Sequence, residues 1–268
     1  MTVLDAAERA ALAAQAWVEV SALVDLQLSP LGLRAMAALG PRPGDVVVDI
    51  GCGAGQSVLQ LAERVGAAGR VIGVDIAPLL LALARRRAAG LAQVRLVEAD
   101  AQSVDLPEQS ADGIFSRFGV MAFADPMAAF GNFRRMLKPG GRLGFVCWRA
   151  LAENELDLLP LQATGLVGMA DPTPFRFADA GFVQATLTAA GFDQVSVEAS
   201  DEQVSSGGVA AMATVLLKVG PLGRILRENP ELMAEAAPRL MAALAARAVH
   251  GVVALRAATW LVTARRRM

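Results

Sequence analysis

The run Val46-Val47-Val48-Asp49-Ile50-Gly51-Cys52-Gly53-Ala54-Gly55-Gln56-Ser57 restricts this chain more than any other feature. Three β-branched residues lead into an acid, and glycine then takes every second position. Val58, Leu59, Leu61, Ala62 and Val65 follow at helical spacing. A buried strand, a bend stripped of side chains and an amphipathic helix form the opening unit of a nucleotide-binding α/β fold. Each missing Cβ lets a ligand approach the backbone closely.

The glycine spacing narrows the ligand. A dinucleotide fingerprint reads G-x-G-x-x-G, and from Gly51 the third required glycine falls on Gln56. A nicotinamide dehydrogenase is therefore disfavoured. No G-K-[ST] follows, which excludes a P-loop. Asp49 stands two residues before the first glycine, where a carboxylate repels a pyrophosphate and suits a cation.

Composition removes other classes. With 54% hydrophobic and 19% charged residues in 268, the chain can bury a sizeable core and does not read as disordered. A net charge of −1 carries no nucleic-acid footprint. The start, Met1-Thr2-Val3-Leu4-Asp5, lacks the basic and apolar regions of a leader. The most apolar stretch, around 239–264, is broken by Arg247, His250 and Arg256, so no membrane span is expected and a cytoplasmic location is. Cys52 and Cys147 are expected one strand apart, roughly 9–10 Å at ~4.8 Å per strand, too far for a disulfide. Two distant cysteines and the single His250 cannot build a zinc site, so no metal is expected.

Residues 1–40 read as helices broken at Ser29-Pro30, either a lid over a ligand mouth or a cover for the sheet edge. Strands follow at Val46–Ile50, Arg70–Ile76, Val94–Val97, Gly113–Ser116 and Arg142–Trp148, with helices between them. Such alternation demands a parallel sheet with right-handed crossovers and ligands outside the carboxyl strand ends. Gly51, Asp75, Asp100 and Ser116 all fall at those ends. Asp75 lies 20 residues after Gly55, where a carboxylate accepts both hydroxyls of a ribose. Ile76 can lie against a purine face. Asp100 can accept from an exocyclic amine such as adenine N6, or cap a turn. Arg85-Arg86-Arg87 reads as a solvated face. Lys138-Pro139-Gly140-Gly141 reads as a sharp stop after a helix that Asp125-Pro126 begins. Beyond 148 the pattern loosens, with a helix at Gly181–Ala190, a strand at Gln194–Glu198, helices over 205–250 and a last strand at Thr259–Ala264.

These segments resemble the class I S-adenosylmethionine-dependent methyltransferases. The likeness rests on Val48-Asp49-Ile50-Gly51-Cys52-Gly53-Ala54-Gly55, Gly73-Val74-Asp75-Ile76, Glu98-Ala99-Asp100-Ala101 and Leu137-Lys138-Pro139-Gly140-Gly141. It extends through Ser116–Met121, Ala124-Asp125-Pro126, Cys147-Trp148-Arg149 and Glu153-Asn154, as in bacterial small-molecule enzymes, and covers Trp17 to Arg265. It implies an α/β, Rossmann-like seven-stranded mostly parallel sheet, helices on both faces, and the last strand antiparallel between the fifth and sixth. It implies S-adenosyl-L-methionine as cofactor, S-adenosyl-L-homocysteine as product and a small-molecule substrate. Asp49 with Gly51, Gly53 and Gly55 would hold the methionine end, and Asp75 the ribose. Asp100 and Ala101 would read the adenine with Ile76 on its face, and Ser116 would lie near the sulfonium. The expected organisation is a helical lid at 1–40, a cofactor-binding core at 41–204, a helical insertion acting as substrate cap at 205–250, and a final strand at 251–268. A homodimer is left open.

Relatives carry a tyrosine where this chain has Val24, and the chain contains none. No catalytic residue is assigned. His250, Asp125, Glu153 and Glu155 are the candidate bases. Trp17, Met121, Phe123, Trp148 and the 205–250 helices are expected to give an apolar wall suited to a lipophilic or aromatic metabolite. The competing expectation is a protein that binds the cofactor without transferring methyl, as a cyclase or binding partner.

Overall fold

The computed structural model describes residues 5–268; Met1–Leu4, on which part of the leader reading rests, lie outside them. Two helices open the described chain, α1 (Ala6–Glu19) and α2 (Ser21–Leu39). The alternating section runs β1 (Val46–Ile50), α3 (Gln56–Val65), β2 (Arg70–Asp75), α4 (Pro78–Arg87), β3 (Val94–Glu98), β4 (Ala111–Arg117), α5 (Pro126–Met136) and β5 (Leu137–Trp148). Then come α6 (Glu155–Thr164), α7 (Ala180–Ala189), β6 (Phe192–Gly207), α8 (Val209–Leu216), α9 (Gly220–Glu228), α10 (Met233–Ala245) and β7 (Val253–Arg266).

The strands form one seven-stranded sheet in the order β3-β2-β1-β4-β5-β7-β6. β1 pairs in parallel with β2 and β4, β2 with β3, and β4 with β5; β7 runs antiparallel to β5. This is the α/β sheet the alternation and the family likeness imply. Val47, Val48 and Ile50 are buried because β1 is central and covered on both faces. α3 turns Val58, Leu61, Ala62 and Val65 inward, the face its 3.6-residue spacing predicts. Phe130, Phe133, Phe145 and Phe177 meet within the same core, ring centroids 5.5–6.1 Å apart around Phe130.

Two compact units emerge. One comprises Leu31–Arg149, Thr173–Ser200 and Thr259–Met268; the other comprises Met1–Pro30, Ala150–Pro172 and Asp201–Ala258. The unit that holds the 205–250 helices thus also takes in 150–172.

Several local expectations are corrected. Pro30 does not break α2, which continues to Leu39. Pro30 cannot donate to the Leu26 carbonyl, but Leu31, Ala35, Met36 and Leu39 continue a buried stripe that holds the helix together. α6 forms where no regular element was read, because Leu156, Leu159 and Leu161 are buried despite Pro160. It ends on Gly165 at φ 76°. β6 and β7 are both longer than expected. β6 is the last strand of the sheet, half exposed, so its polar residues hide the apolar rhythm. The helix does stop just before Lys138–Gly141, at Met136, but β5 begins at once there and not at Arg142, with a register shift between Ala111 and Gly113 of β4.

Three of the candidate bases, Glu153, Glu155 and His250, lie in the helical unit. His250 and Gly251 have φ 49° and 80° at a two-residue turn closed by Val249 and Val252, a hairpin tip. Glu155 pairs with Arg247 and accepts the Arg256 N–H at 3.1 Å. α2 between Ser21 and Leu39 is long and apolar enough to cross a membrane, but 44% of that window is buried in protein. No group of three or more metal-ligating side chains occurs among the described residues.

Candidate cofactor site

The parallel register brings the strand ends together: Ile50 lies beside Val74 and Ser116, and Asp75 beside Glu98. The bend after β1 is left-handed at Gly51 (φ 68°), Gly53 (φ 52°) and Gly55 (φ 88°). The three glycines serve different ends. A Cβ on Gly51 would stand 2.7 Å from Gly119 Cα, and one on Gly55 would stand 2.9 Å from Ala84 Cβ of α4. A Cβ on Gly53 would meet nothing within 4 Å. Gly53 therefore presents bare backbone to open space, which suits a ligand.

Asp49 is fully buried at the end of β1. Ser57, in the first turn of α3, donates to Oδ2 at 2.6 Å, while Oδ1 has no partner. Burial raises this carboxyl to about 7; the Ser57 bond and the charge of Arg117 oppose the shift, and Asp75 adds to it. Arg117 is itself held by Gln56 at the start of α3. Sequence reading passed over Ser57 and Arg117. A hydroxyl in the first turn after a buried acid was the available signal for one; nothing local marked the other.

Asp75 is partly exposed, and each oxygen is used once by backbone. Gly53 N–H donates to Oδ2 and Ala77 N–H to Oδ1, both at 2.8 Å. A carboxylate offers about four lone-pair sites, so two remain, one per oxygen, the number a ribose diol needs. The carboxylate thus also ties the glycine bend to the start of α4. Ile76 beside it is 70% exposed, an apolar surface free to cover a flat ring. Arg87 donates to the Ala54 carbonyl at 3.2 Å, so this member of the arginine run braces the bend and is not simply solvated.

Asp100 lies after β3, and Gln102 holds its carboxylate, with Oδ1 accepting the Gln102 N–H at 2.8 Å. Ala101 is buried at 7% exposure, and Asn132 of α5 donates to its carbonyl at 3.3 Å. Asp125 accepts from Ala128 N–H at 3.0 Å and is the cap of α5, as one of its two readings held.

Ser116 sits at the expected strand end, yet its side chain is fully buried. Its hydroxyl donates to the Ile50 carbonyl at 2.8 Å and accepts from Gly119 N–H at 3.1 Å. The hydroxyl is a clamp joining β1 to the turn after β4, which leaves its donor committed within the protein. Ser116→Ala should therefore cost about 1–2 kcal/mol of unfolding free energy in urea melts, because two backbone groups lose their partner. An unchanged midpoint would contradict the clamp. Met121 and Phe123 are core residues, and Trp148 stacks on Phe118 with centroids 3.9 Å apart. Cys52 and Cys147 are free, buried thiols with raised pKa values, the cause in each being burial first.

Residues 47–141 match the methyltransferase domain family model. Over 144 residues the chain is 33% identical to aklanonic acid methyltransferase DauC of Streptomyces sp. strain C5, covering 53% of this chain and 65% of that protein. Over 99 residues it is 43% identical to demethylmenaquinone methyltransferase of Thermus thermophilus, covering 36% of this chain and 44% of that one. The chain spans less than two thirds of the length of these curated relatives. Among solved structures, the 4+2 cyclase SpnF superposes with a TM-score of 0.58 at 24% identity, over 89% of this chain and 81% of that one, a likeness of fold. The matched segment runs from β1 into β5 and contains the bend, Asp75 and Asp100; that match and this sheet order support a class I S-adenosylmethionine-dependent methyltransferase.

Proposed function

We propose that the chain binds S-adenosylmethionine over the glycine bend and transfers its methyl group to a small lipophilic or aromatic metabolite, of natural-product or quinone-like chemistry. The observation that carries this reading is Asp49: a fully buried carboxylate with one oxygen unpaired, directly before a bend where Gly53 faces open space. A buried carboxylate demands a proton or a cation. The remaining residues fit the rest of such a ligand. Asp75 keeps two acceptor sites for a diol, Ile76 offers an apolar face, and Asp100 keeps an acceptor for an amine. The names of the matched relatives, an aklanonic acid and a demethylmenaquinone methyltransferase, support the acceptor class.

When bound, the cofactor supplies a methyl already activated on a positive sulfur. The protein's work is then alignment and exclusion of water. Of the candidate bases, His250 lies at an exposed hairpin tip, Glu155 is ion-paired and Asp125 caps a helix. The reading therefore favours acceptors that need no strong base from these residues.

Calorimetric titration tests the cofactor, and incubation with methyl-labelled cofactor and aromatic or quinone-like acceptors tests the transfer. The expected results are saturable uptake, with proton release near neutral pH as a cation displaces the Asp49 proton, and label in an organic product. No uptake would remove the proposal. Uptake with all label retained on the cofactor, while an acceptor changes only in its presence, would favour the non-transferring cyclase.

Asp49 also makes a stability prediction for the unliganded protein. Its folded pKa is about 7, raised above an unfolded value near 3.9. The folded chain therefore binds the proton more tightly. The resulting stabilisation is complete below about pH 4 and is lost as pH rises through about 7. Its full size is on the order of 4 kcal/mol. Asp157 of α6, buried and likewise raised to about 7, acts in the same window. Asp49→Asn should remove about half of this combined pH dependence in urea unfolding between pH 4 and 8. A slope identical to the parent's would refute it.

A further inference from the structure

We propose that Gln102 is the positioning residue that makes the site choose an aminopurine over an oxopurine. The inference rests on the reading of Asp100 as an adenine contact in the proposed cofactor site and adds a residue to it.

Gln102 grips Asp100 from two directions. Its N–H donates to Oδ1 at 2.8 Å. Its side-chain Nε2 donates to Oδ2 at 2.9 Å and lies 3.2 Å from Oδ1. Two lone-pair sites on Oδ1 and one on Oδ2 are thereby used, and the remaining acceptor site is on Oδ2. The carboxylate plane is set by the amide that spans both oxygens.

The grip is anchored. Gln102 Oε1 accepts the Asp125 N–H at 2.8 Å, at the start of α5. α5 is held in the core by buried Phe130, Phe133 and Met136. A second tie runs from Asn132 Nδ2 to the carbonyls of Ala101 at 3.3 Å and Val104 at 3.1 Å. The segment after β3 is thus fastened to one rigid helix on both sides of Gln102.

The chemical consequence is directional. An exocyclic amine donates to the open site on Oδ2. An exocyclic carbonyl places a second acceptor against a carboxylate that cannot turn away. Selectivity requires the carboxylate to stay fixed, because a free one would rotate and admit a water between the two acceptors.

The test uses the full-length protein with two probes, S-adenosylhomocysteine and S-inosylhomocysteine, whose purines differ in that amine. Calorimetric affinities are measured for the parent, Gln102→Ala, Gln102→Glu and Asp100→Ala. The parent should prefer the adenosyl probe by at least about 30-fold, the worth of one charge-assisted hydrogen bond. Gln102→Ala should bring the two probes within about threefold of each other, the loss falling on the adenosyl probe. Gln102→Glu keeps an acceptor for the Asp125 N–H and the backbone N–H to Oδ1 but has no side-chain donor to span the Asp100 carboxylate, and should lose selectivity equally. A general loosening of the segment would weaken both probes together and leave their ratio unchanged. A selective parent with an equally selective Gln102→Ala overturns this inference and leaves the proposed function standing. Selectivity that survives Asp100→Ala also overturns it. A parent that binds neither probe removes both proposals at once.

Discussion

Asp75→Ala is expected to weaken S-adenosylmethionine binding by at least about 100-fold, the largest single effect on affinity in the site. Two contributions add. The ribose loses both of its acceptors, each charge-assisted bond being worth about 1.5–3 kcal/mol, where 1.4 kcal/mol is tenfold. The bend also loses its anchor, because the same carboxylate accepts from Gly53 N–H and Ala77 N–H. Asp75→Asn keeps one acceptor oxygen and should fall between the two proteins. Isothermal titration of the three decides the matter: undiminished affinity in the alanine variant would take the ribose away from Asp75.

Gly53→Ala and Gly119→Ala should fail in opposite ways. Gly53 has φ 52°, and its added methyl meets nothing in the protein. The variant should fold with a loss of about 1 kcal/mol from the left-handed backbone. Its methyl occupies the space proposed for the ligand, so affinity should drop by tenfold or more on the order-of-magnitude scale of a steric clash. Gly119 is different. A Cβ there would stand 2.4 Å from the Ile50 carbonyl oxygen and 2.9 Å from both Gly51 Cα and Ser116 Oγ. The neighbours are backbone and a buried clamp, with no room to yield. About 3 kcal/mol or more of stability should be lost, read as a shifted urea midpoint. Intact affinity in Gly53→Ala would mean that the open side of the bend does not face the cofactor.

The sheet was legible because its signals are local. Val46–Ile50, the glycine bend and the apolar face of α3 lie within one stretch, and a buried parallel strand needs an unbroken apolar run. The positions of Asp75 and Asp100 at strand ends were legible for a related reason: strand ends are marked by a change from apolar to acidic residues. Failures occurred where an element's identity depended on its neighbours. Pro30 reads as a breaker, yet α2 passes through it because Leu31, Ala35, Met36 and Leu39 bury one continuous face beyond it. β6 reads as short because an edge strand alternates weakly and carries polar residues on its open side.

Ser116 and Gln102 show the same division within the site. Ser116 stands at the right strand end, but its orientation toward Ile50 depends on the turn at Phe118 and Gly119, where Phe118 adopts φ 62°. Gln102 carries no motif; its importance comes from Asp125, 23 residues away in the chain.

From residue order alone came the α/β class, the strand sequence, the family likeness and the acids at the carboxyl strand ends, since each follows from spacing within a few turns or one strand. Contact between distant segments set the rest: the free oxygen of Asp49, the brace from Arg87, the clamp at Ser116 and the hold on Asp100. A hydrogen bond is satisfied by whichever group lies within about 3 Å, and chain separation carries no information about that distance once the sheet has closed.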